Sequence, residues 1–310
     1  MGGYALRRLI GLLPVLFLAV VLTFIATRFV PGDPIATMLG DHAGDKVLEA
    51  RLRADYGLDR PLAVQFLAYL GDIANGTFGM SFRFSRMPVI DVIRTGLKIT
   101  PVLALAALFI SIPIGLLLGT TAALHRRKFA DTSIILVVVA GISIPNFALA
   151  SFLVYVLAIK FNVVPVAGWG RIDQAILPLM VLCVSPIAYI ARLSRTFMLE
   201  VLTQDFIRTA RAKGLRERHV IYRHAMRNTL VPLLTSIGII FGGLLSGTFV
   251  VETIFNIPGL GSLAIQSIFA RDYPVTMTIV LLFTFFYAAI NLAVDLLYAA
   301  VDPRIRLSAR

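Results

Sequence analysis

Six stretches of the chain carry no Asp, Glu, Lys or Arg and consist mainly of apolar residues: Leu9–Thr27, Ile99–Leu124, Thr132–Ile159, Gln174–Ala191, Asn228–Val251 and Tyr273–Val294. A helix rises about 1.5 Å per residue and needs roughly 20 apolar residues to cross a bilayer, so each stretch is long enough. A seventh uncharged stretch, Thr253–Ala270, contains Asn256-Ile257-Pro258-Gly259-Leu260-Gly261. Proline and glycine there would leave backbone groups unpaired in lipid. Residues 252–272 are therefore expected to form a re-entrant or interfacial segment packed on protein. The pattern predicts an all-α integral membrane protein with six transmembrane helices.

Two connecting segments have patterns of their own. Residues 29–98 open with Val30-Pro31-Gly32-Asp33-Pro34, which forces an extended or turned chain. A helical pattern follows at Val47–Tyr56. Pro61 then suits the first turn of a helix with Val64, Phe66, Leu67, Leu70 and Ile73 on an apolar stripe. A small folded cap is expected, against the alternative of a floppy loop. The second segment, Arg192–Arg227, holds Asp205 as a helix cap, Phe206, Ile207 and Ala210 on one face, and Gly214 as the left-handed stop. A second short helix would place Val220, Ile221 and Ala225 against Arg216, Arg218, Arg223 and Arg227. Two such helices around a glycine elbow make a knob that fits a partner's groove. A basic loop lying on anionic headgroups is the other reading.

Composition agrees with the pattern: 58% of the 310 residues are hydrophobic and 15% charged, against about 45–50% and 25% in soluble domains. The net charge of +12 need not mean nucleic acid. With both termini inside, the cytoplasmic segments hold 17 basic and five acidic residues, and the outer segments 12 and 11. The positive-inside rule accounts for that bias, so a nucleic-acid partner is not expected and membrane lipid is. Leu6-Arg7-Arg8 before the first apolar run resembles a signal peptide, but the run is too long and no small-x-small site follows. A retained first helix is expected. The boundaries implied are 1–28 (tail and first helix), 29–98 (cap) and 99–310 (five-helix core), with the basic loop at 192–228 inside the last.

Catalytic chemistry is not in evidence. The chain has no GxxxxGK[ST], no GxSxG and no paired-histidine motif, and its single cysteine, Cys183, lies in an apolar stretch. Asp295 is the one acidic residue in a spanning stretch, nine positions before Arg304. A structural ion pair with a loop arginine is expected, with gating or proton coupling as alternatives. Pro101, Pro113, Pro145, Pro178 and Pro186 lie within spans, either tolerated or as hinges. Gly238, Gly242, Gly243, Ser246 and Gly247 would allow close helix approach, to a partner or to another helix of this chain. Trp169 suits an interfacial anchor.

Asp205-Phe-Ile-Arg-Thr-Ala-Arg-Ala-Lys-Gly214 with Arg223-His-Ala-Met-Arg-Asn-Thr-Leu-Val-Pro232 resembles the "EAA" loop of inner-membrane permeases of bacterial ABC importers, in the dipeptide/oligopeptide/nickel class. Pro31-Gly-Asp-Pro34, Tyr56-Gly-Leu-Asp-Arg-Pro61, Gly76-Thr-Phe-Gly-Met-Ser81, Glu252-Thr-Ile-Phe-Asn-Ile-Pro-Gly-Leu-Gly261, Arg271-Asp-Tyr-Pro274 and Asp295–Arg306 match the same class in order, closest to the first of its two paired permeases. The general pattern places Glu-Ala-Ala six to four residues before the glycine; here those positions are Arg208, Thr209 and Ala210.

The resemblance implies a type I importer permease that carries di- or oligopeptides across the bacterial inner membrane. A second homologous permease, two cytosolic ABC ATPases and a periplasmic or lipid-anchored binding protein would be its partners. ATP and Mg would be used by the ATPases, with no catalytic, cofactor or metal site in this chain. The ATPase-contacting residues would be Asp205, Arg208, Thr209, Ala210, Arg211, Lys213 and Gly214. The outer segment would hold Asn256, Pro258, Gly259 and Gly261. Nickel, glutathione or glycan fragments are alternative cargoes, and a stand-alone secondary transporter is the reading from another class.

Overall fold

The computed structural model describes residues 2–30, 32–39, 44–84 and 87–301, with side chains from Arg8 to Leu297. Pro31 and residues 302–310, which include Arg304 and the end of the last motif, lie outside the described residues.

The described chain is helical nearly throughout. Its helices are α1 (Gly2–Phe29), α2 (Pro34–Leu39), α3 (Lys46–Asp55), α4 (Leu62–Ala74), α5 (Val89–Leu124), α6 (Phe129–Ser143), α7 (Asn146–Leu153), α8 (Ile172–Leu202), α9 (Asp205–Ala212), α10 (Glu217–His219), α11 (Met226–Ile254), α12 (Leu260–Phe269) and α13 (Tyr273–Val301). Short π-helical stretches at Val154–Lys160 and Val220–Ala225 continue α7 and join α10 to α11. Five helical runs are long and apolar enough to cross a membrane, and a sixth forms if the pair from Phe129 to Lys160 counts as one span. That pair is bent by 102°. Pro145 is the cause: a residue before proline is pushed out of the helical region, and Ile144 is extended at φ −85, ψ 119. Pro178 and Pro186, in contrast, sit inside an unbroken α8.

The second span starts at Val89 rather than Ile99, so residues 89–98 of the expected cap belong to a helix of 36 residues. At about 1.5 Å each it reaches roughly 54 Å, well beyond a hydrocarbon layer of about 30 Å.

The chain packs as two compact units. One consists of Leu9–Pro101 with Pro258–Phe286. Its core joins Val20 and Phe24 of α1, Tyr69 of α4, and Tyr273, Met277 and Leu281 of α13. The cap helices form where the pattern placed them. Asp45 caps α3 by accepting from the N–H groups of Val47 and Leu48, both at 3.0 Å. On α4, Phe66, Leu70 and Ile73 pack inward with buried Tyr69, whereas Val64 and Leu67 are exposed. Leu67 is one residue, about 100° of helix, off the stripe that Phe66 and Ile73 define.

A buried carboxylate fixes the irregular chain between α4 and α5. Asp272 accepts from Ser81 Oγ and from the backbone N–H groups of Phe82 (3.1 Å) and Arg83 (3.3 Å). Ser81 Oγ in turn accepts from the N–H of Phe84 at 3.0 Å.

The other unit consists of Val102–Ile257 with the chain ends. Small residues set its helix spacing. A methyl group on Gly115 or Gly119 of α5 would lie 2.7 Å from Ile190 Cβ or 2.3 Å from the Ala191 carbonyl oxygen of α8. Gly238 and Gly242 of α11 face Asn291 and Tyr287 of α13, so part of the glycine face packs within the chain. Gly243 has open space instead and lines a cavity of about 370 Å³ with Asn146, Ser185 and Tyr189. Gly119→Ala is expected to force α5 from α8 and cost about 1–3 kcal/mol. Gly243→Ala should cost little. Thermal unfolding in detergent checks the pair; equal midpoints would refute the close-packing assignment.

Candidate functional site

The basic loop folds as a helical projection. Helix α9 begins after Gln204, whose carbonyl already accepts from the N–H groups of Ile207 (3.1 Å) and Arg208 (3.4 Å). Asp205 therefore is not the cap expected from its side chain. It is the first helical residue, 94% exposed, with Arg208 Nη1 3.5 Å away. Its negative charge still suits the positive end of the helix.

Ile207 and Ala210 are buried, joining Ala123 of α5, Met198 of α8, and Val220 and Ala225. Phe206, expected on that face, is 43% exposed. Arg208, Thr209, Arg211, Lys213 and Gly214 all lie at the surface. Ala210 thus anchors the projection while its neighbours form the accessible tip.

Gly214 ends α9 as expected, at φ +75. Its N–H reaches the Arg211 carbonyl at 2.9 Å, and the Leu215 N–H reaches Ala210 at 3.4 Å, closing a Schellman turn. A Cβ at Gly214 would meet nothing within 4 Å. Backbone conformation, not crowding, selects glycine here. Arg211 then grips Glu217 across the elbow, Nη2 to Oε1 at 2.6 Å and Nε to Oε2 at 3.2 Å. Both side chains are well exposed, which limits the pair to about 1 kcal/mol or less.

The expected separate second helix is corrected by the structure. Helix α10, the π-helical turn and α11 run on from Glu217 to Ile254 as one helical run. Val220, Ile221 and Ala225 are buried, and Arg216, Arg218, Arg223 and Arg227 exposed, as the pattern required.

Between α6 and α8 lies an ion pair that the sequence pattern does not announce. Asp131 of α6, only 4% exposed, accepts from Arg195 of α8 through Nε at 2.7 Å and Nη2 at 2.8 Å. The Arg127 N–H adds a third hydrogen bond at 2.9 Å. Removing one partner of a buried pair costs about 3–5 kcal/mol because the other charge stays behind. No local motif joins residues 64 apart; the one hint is an acid three positions after Arg126-Arg127-Lys128.

Asp295 does form an ion pair, but with Arg8 of α1, Nη1 to Oδ2 at 2.9 Å. The expected loop partner, Arg304, lies outside the described residues.

The 252–272 segment breaks where its Pro and Gly residues fall. Asn256 adopts φ +50, with its N–H 3.4 Å from the Thr253 carbonyl and the Ile257 N–H 2.8 Å from Glu252, which stops α11. After Pro258, Gly259 precedes α12 in extended conformation. At ten residues α12 is too short to cross. Its start is fitted to α5: the Leu260 N–H donates to Thr100 Oγ1 at 2.7 Å, and Gly96 faces the Leu260 nitrogen with no room for a side chain. Gly261 is buried. Trp169 is half-buried in the loop before α8. Among the described residues, no three His, Cys, Asp or Glu side chains are grouped as a metal site.

Five or six helical runs able to cross a membrane and a basic helical projection fit a multi-pass membrane protein, and the comparisons say which kind. Residues 111–307 match the family described as binding-protein-dependent transport system inner membrane component, and residues 1–103 match the N-terminal part of such membrane components. The glutathione transport system permease protein GsiC of Escherichia coli is 40% identical over 306 residues, covering 99% of both chains. A Brucella abortus protein provisionally named a peptide transport system permease is 40% identical over 314 residues, again with 99% of each covered. Structures of the inward-facing MetNI methionine ABC transporter share the fold: TM-score 0.60, 20% identity, covering 69% of this chain and 98% of that one.

The chain belongs to the family of binding-protein-dependent transport system inner membrane components. It is an ABC importer permease, a class that works with a substrate-binding protein and an ATPase. That excludes the stand-alone secondary transporter.

Proposed function

We propose that this chain is the first of two homologous permeases in an importer of di- or oligopeptides, set in the bacterial inner membrane with both termini cytoplasmic. Glutathione is itself a tripeptide, so the names of both sets of relatives fall in one chemical class. The two permeases enclose the translocation path. Two cytosolic ATPases bind ATP and Mg and perform the hydrolysis, and a binding protein delivers peptide to the outer face, where the charge bias sets residues 29–98 and 252–272.

The observation that carries the mechanism is the build of the projection: a buried base of Ile207 and Ala210 under an exposed tip of Arg208, Thr209, Arg211 and Lys213. We assign this tip to the groove of an ATPase. ATP binding shifts the permease between inward and outward states only by the difference in contacts it makes in each. Helix α9 rests on α8 and, through Val220 and Ala225, on the run that becomes α11. A displacement of the tip is thus delivered to two spanning helices.

Gly214 is the test point. A non-glycine residue at φ +75 costs about 1–2 kcal/mol, and asparagine tolerates it best. Gly214→Asp is expected to insert and assemble, yet abolish ATP-driven uptake of a labelled dipeptide; Gly214→Asn should keep part of it. Uptake at wild-type rate by Gly214→Asp would refute the coupling role. A tag at the C-terminus and gentle purification from the native host should bring down a second permease and two ATPases. Recovery of the chain alone would contradict the heteromeric assembly.

A further inference from the structure

The unit made of Leu9–Pro101 and Pro258–Phe286 holds a cavity of about 490 Å³ that the transport mechanism leaves without a role. Its lining carries two bases, Arg28 and Arg60, and two acids, Asp55 and Asp72, of which Arg28 and Asp72 come from the helices α1 and α4. Arg28, at the end of α1, directs Nη2 to the Gln65 amide oxygen at 2.5 Å and lies 4.9 Å from the Phe24 ring centroid. Asp72, in the last turn of α4, is half-buried. Among the described residues neither has an ion-pair partner. Burial pushes the Asp72 carboxyl above its usual range. Asp72, half-buried with no counter-charge, bears a desolvation cost that a ligand cation would relieve, whereas Arg28 is exposed and offers an accessible guanidinium.

The position of Asp72 is fixed by its own backbone. Its carbonyl accepts from the N–H groups of Thr77 and Phe78, both at 3.1 Å, in the turn that ends α4. An aromatic wall completes the cavity. Tyr56 and Phe82 meet edge to face at 5.0 Å between centroids, and Phe82 and Tyr273 at 6.2 Å. A mostly apolar cavity with a few convergent polar groups and a volume in the range of about 300–1,000 Å³ has the properties of a small-molecule site.

We propose that this cavity binds a short peptide as its zwitterion, with Arg28 taking the C-terminal carboxylate, Asp72 the N-terminal ammonium, and Tyr56, Phe82 and Tyr273 the side chains. The ligand class is taken from the peptide reading above, and the site deepens it: the permease itself selects for free peptide ends. The planar guanidinium favours a carboxylate, which it can grip through two N–H groups.

The test is equilibrium binding of tritiated Ala-Phe to the permease–ATPase complex in lipid nanodiscs, without the binding protein. Saturable binding is expected, with N-acetyl-Ala-Phe and Ala-Phe-amide each competing at least tenfold more weakly. Arg28→Gln should remove the discrimination against the amide and keep that against the acetyl form; Asp72→Asn should do the reverse. No saturable binding, or equal competition by the blocked peptides, overturns the proposal. Should a variant fail to assemble, the comparison of blocked and free peptides on the wild-type complex decides. Uptake of the same peptide with the binding protein present separates the two readings: import without binding at the cavity leaves the import reading intact and this one refuted.

Discussion

A backbone N–H or C=O withdrawn from water, in lipid or against packed protein, must find its partner within the chain, and that constraint governs where this chain can depart from a helix. Along the spans the intrahelical ladder satisfies it. The difficulty lies at helix ends, where four carbonyls lose their partners. The chain meets it repeatedly with one device. At Gly57, Gly76, Gly214, Asn256 and Arg271 the backbone turns left-handed, and the N–H of that residue and of its successor fold back onto the helix just ended. Each of these turns lies in a motif by which the sequence resembles peptide permeases. Those motifs are thus instructions for stopping helices, and they aim the groups beyond each stop, as with Asp272 into the 81–84 turn and Leu260 onto Thr100; the stop at Gly214 closes the helix that carries the Arg208–Lys213 tip.

Two kinds of polar contact divide the work. The Arg211–Glu217 pair at the elbow is exposed and of small energetic value, yet it sets a shape. The Asp131–Arg195 pair buries its carboxylate and holds α6 to α8, the helix on which the projection rests. It is the contact whose loss would be felt, because Asp131 left without Arg195 is a buried charge without a counter-charge.

The long apolar helices, the cap helices, the glycine elbow and the break at residues 256–259 are legible in the sequence because each rests on a local rule of period, proline placement or capping. Sequence and structure part where tertiary geometry decides. The bend at Pro145 depends on which prolines are accommodated, since Pro178 and Pro186 look alike in sequence and leave α8 whole. Asp205 has the residue type of a cap, but the pattern does not show that Gln204 takes the first helical bond. The second loop helix merges with α11 because neither glycine nor proline stands between Glu217 and Met226. Asp131 with Arg195, and Asp295 with Arg8, join residues far apart in sequence, which periodicity cannot pair.

The central claim is that the exposed tip of α9 seats in an ATPase. Cys183 is the chain's single cysteine and is buried, so Arg208→Cys supplies one accessible thiol on that tip. A short maleimide–photoreactive reagent placed there, in native membranes, should crosslink the permease to a P-loop ATPase subunit, with a yield that changes on adding ATP. Crosslinking to lipid alone, at a yield indifferent to ATP, would contradict the claim and return the loop to a basic segment on the membrane surface.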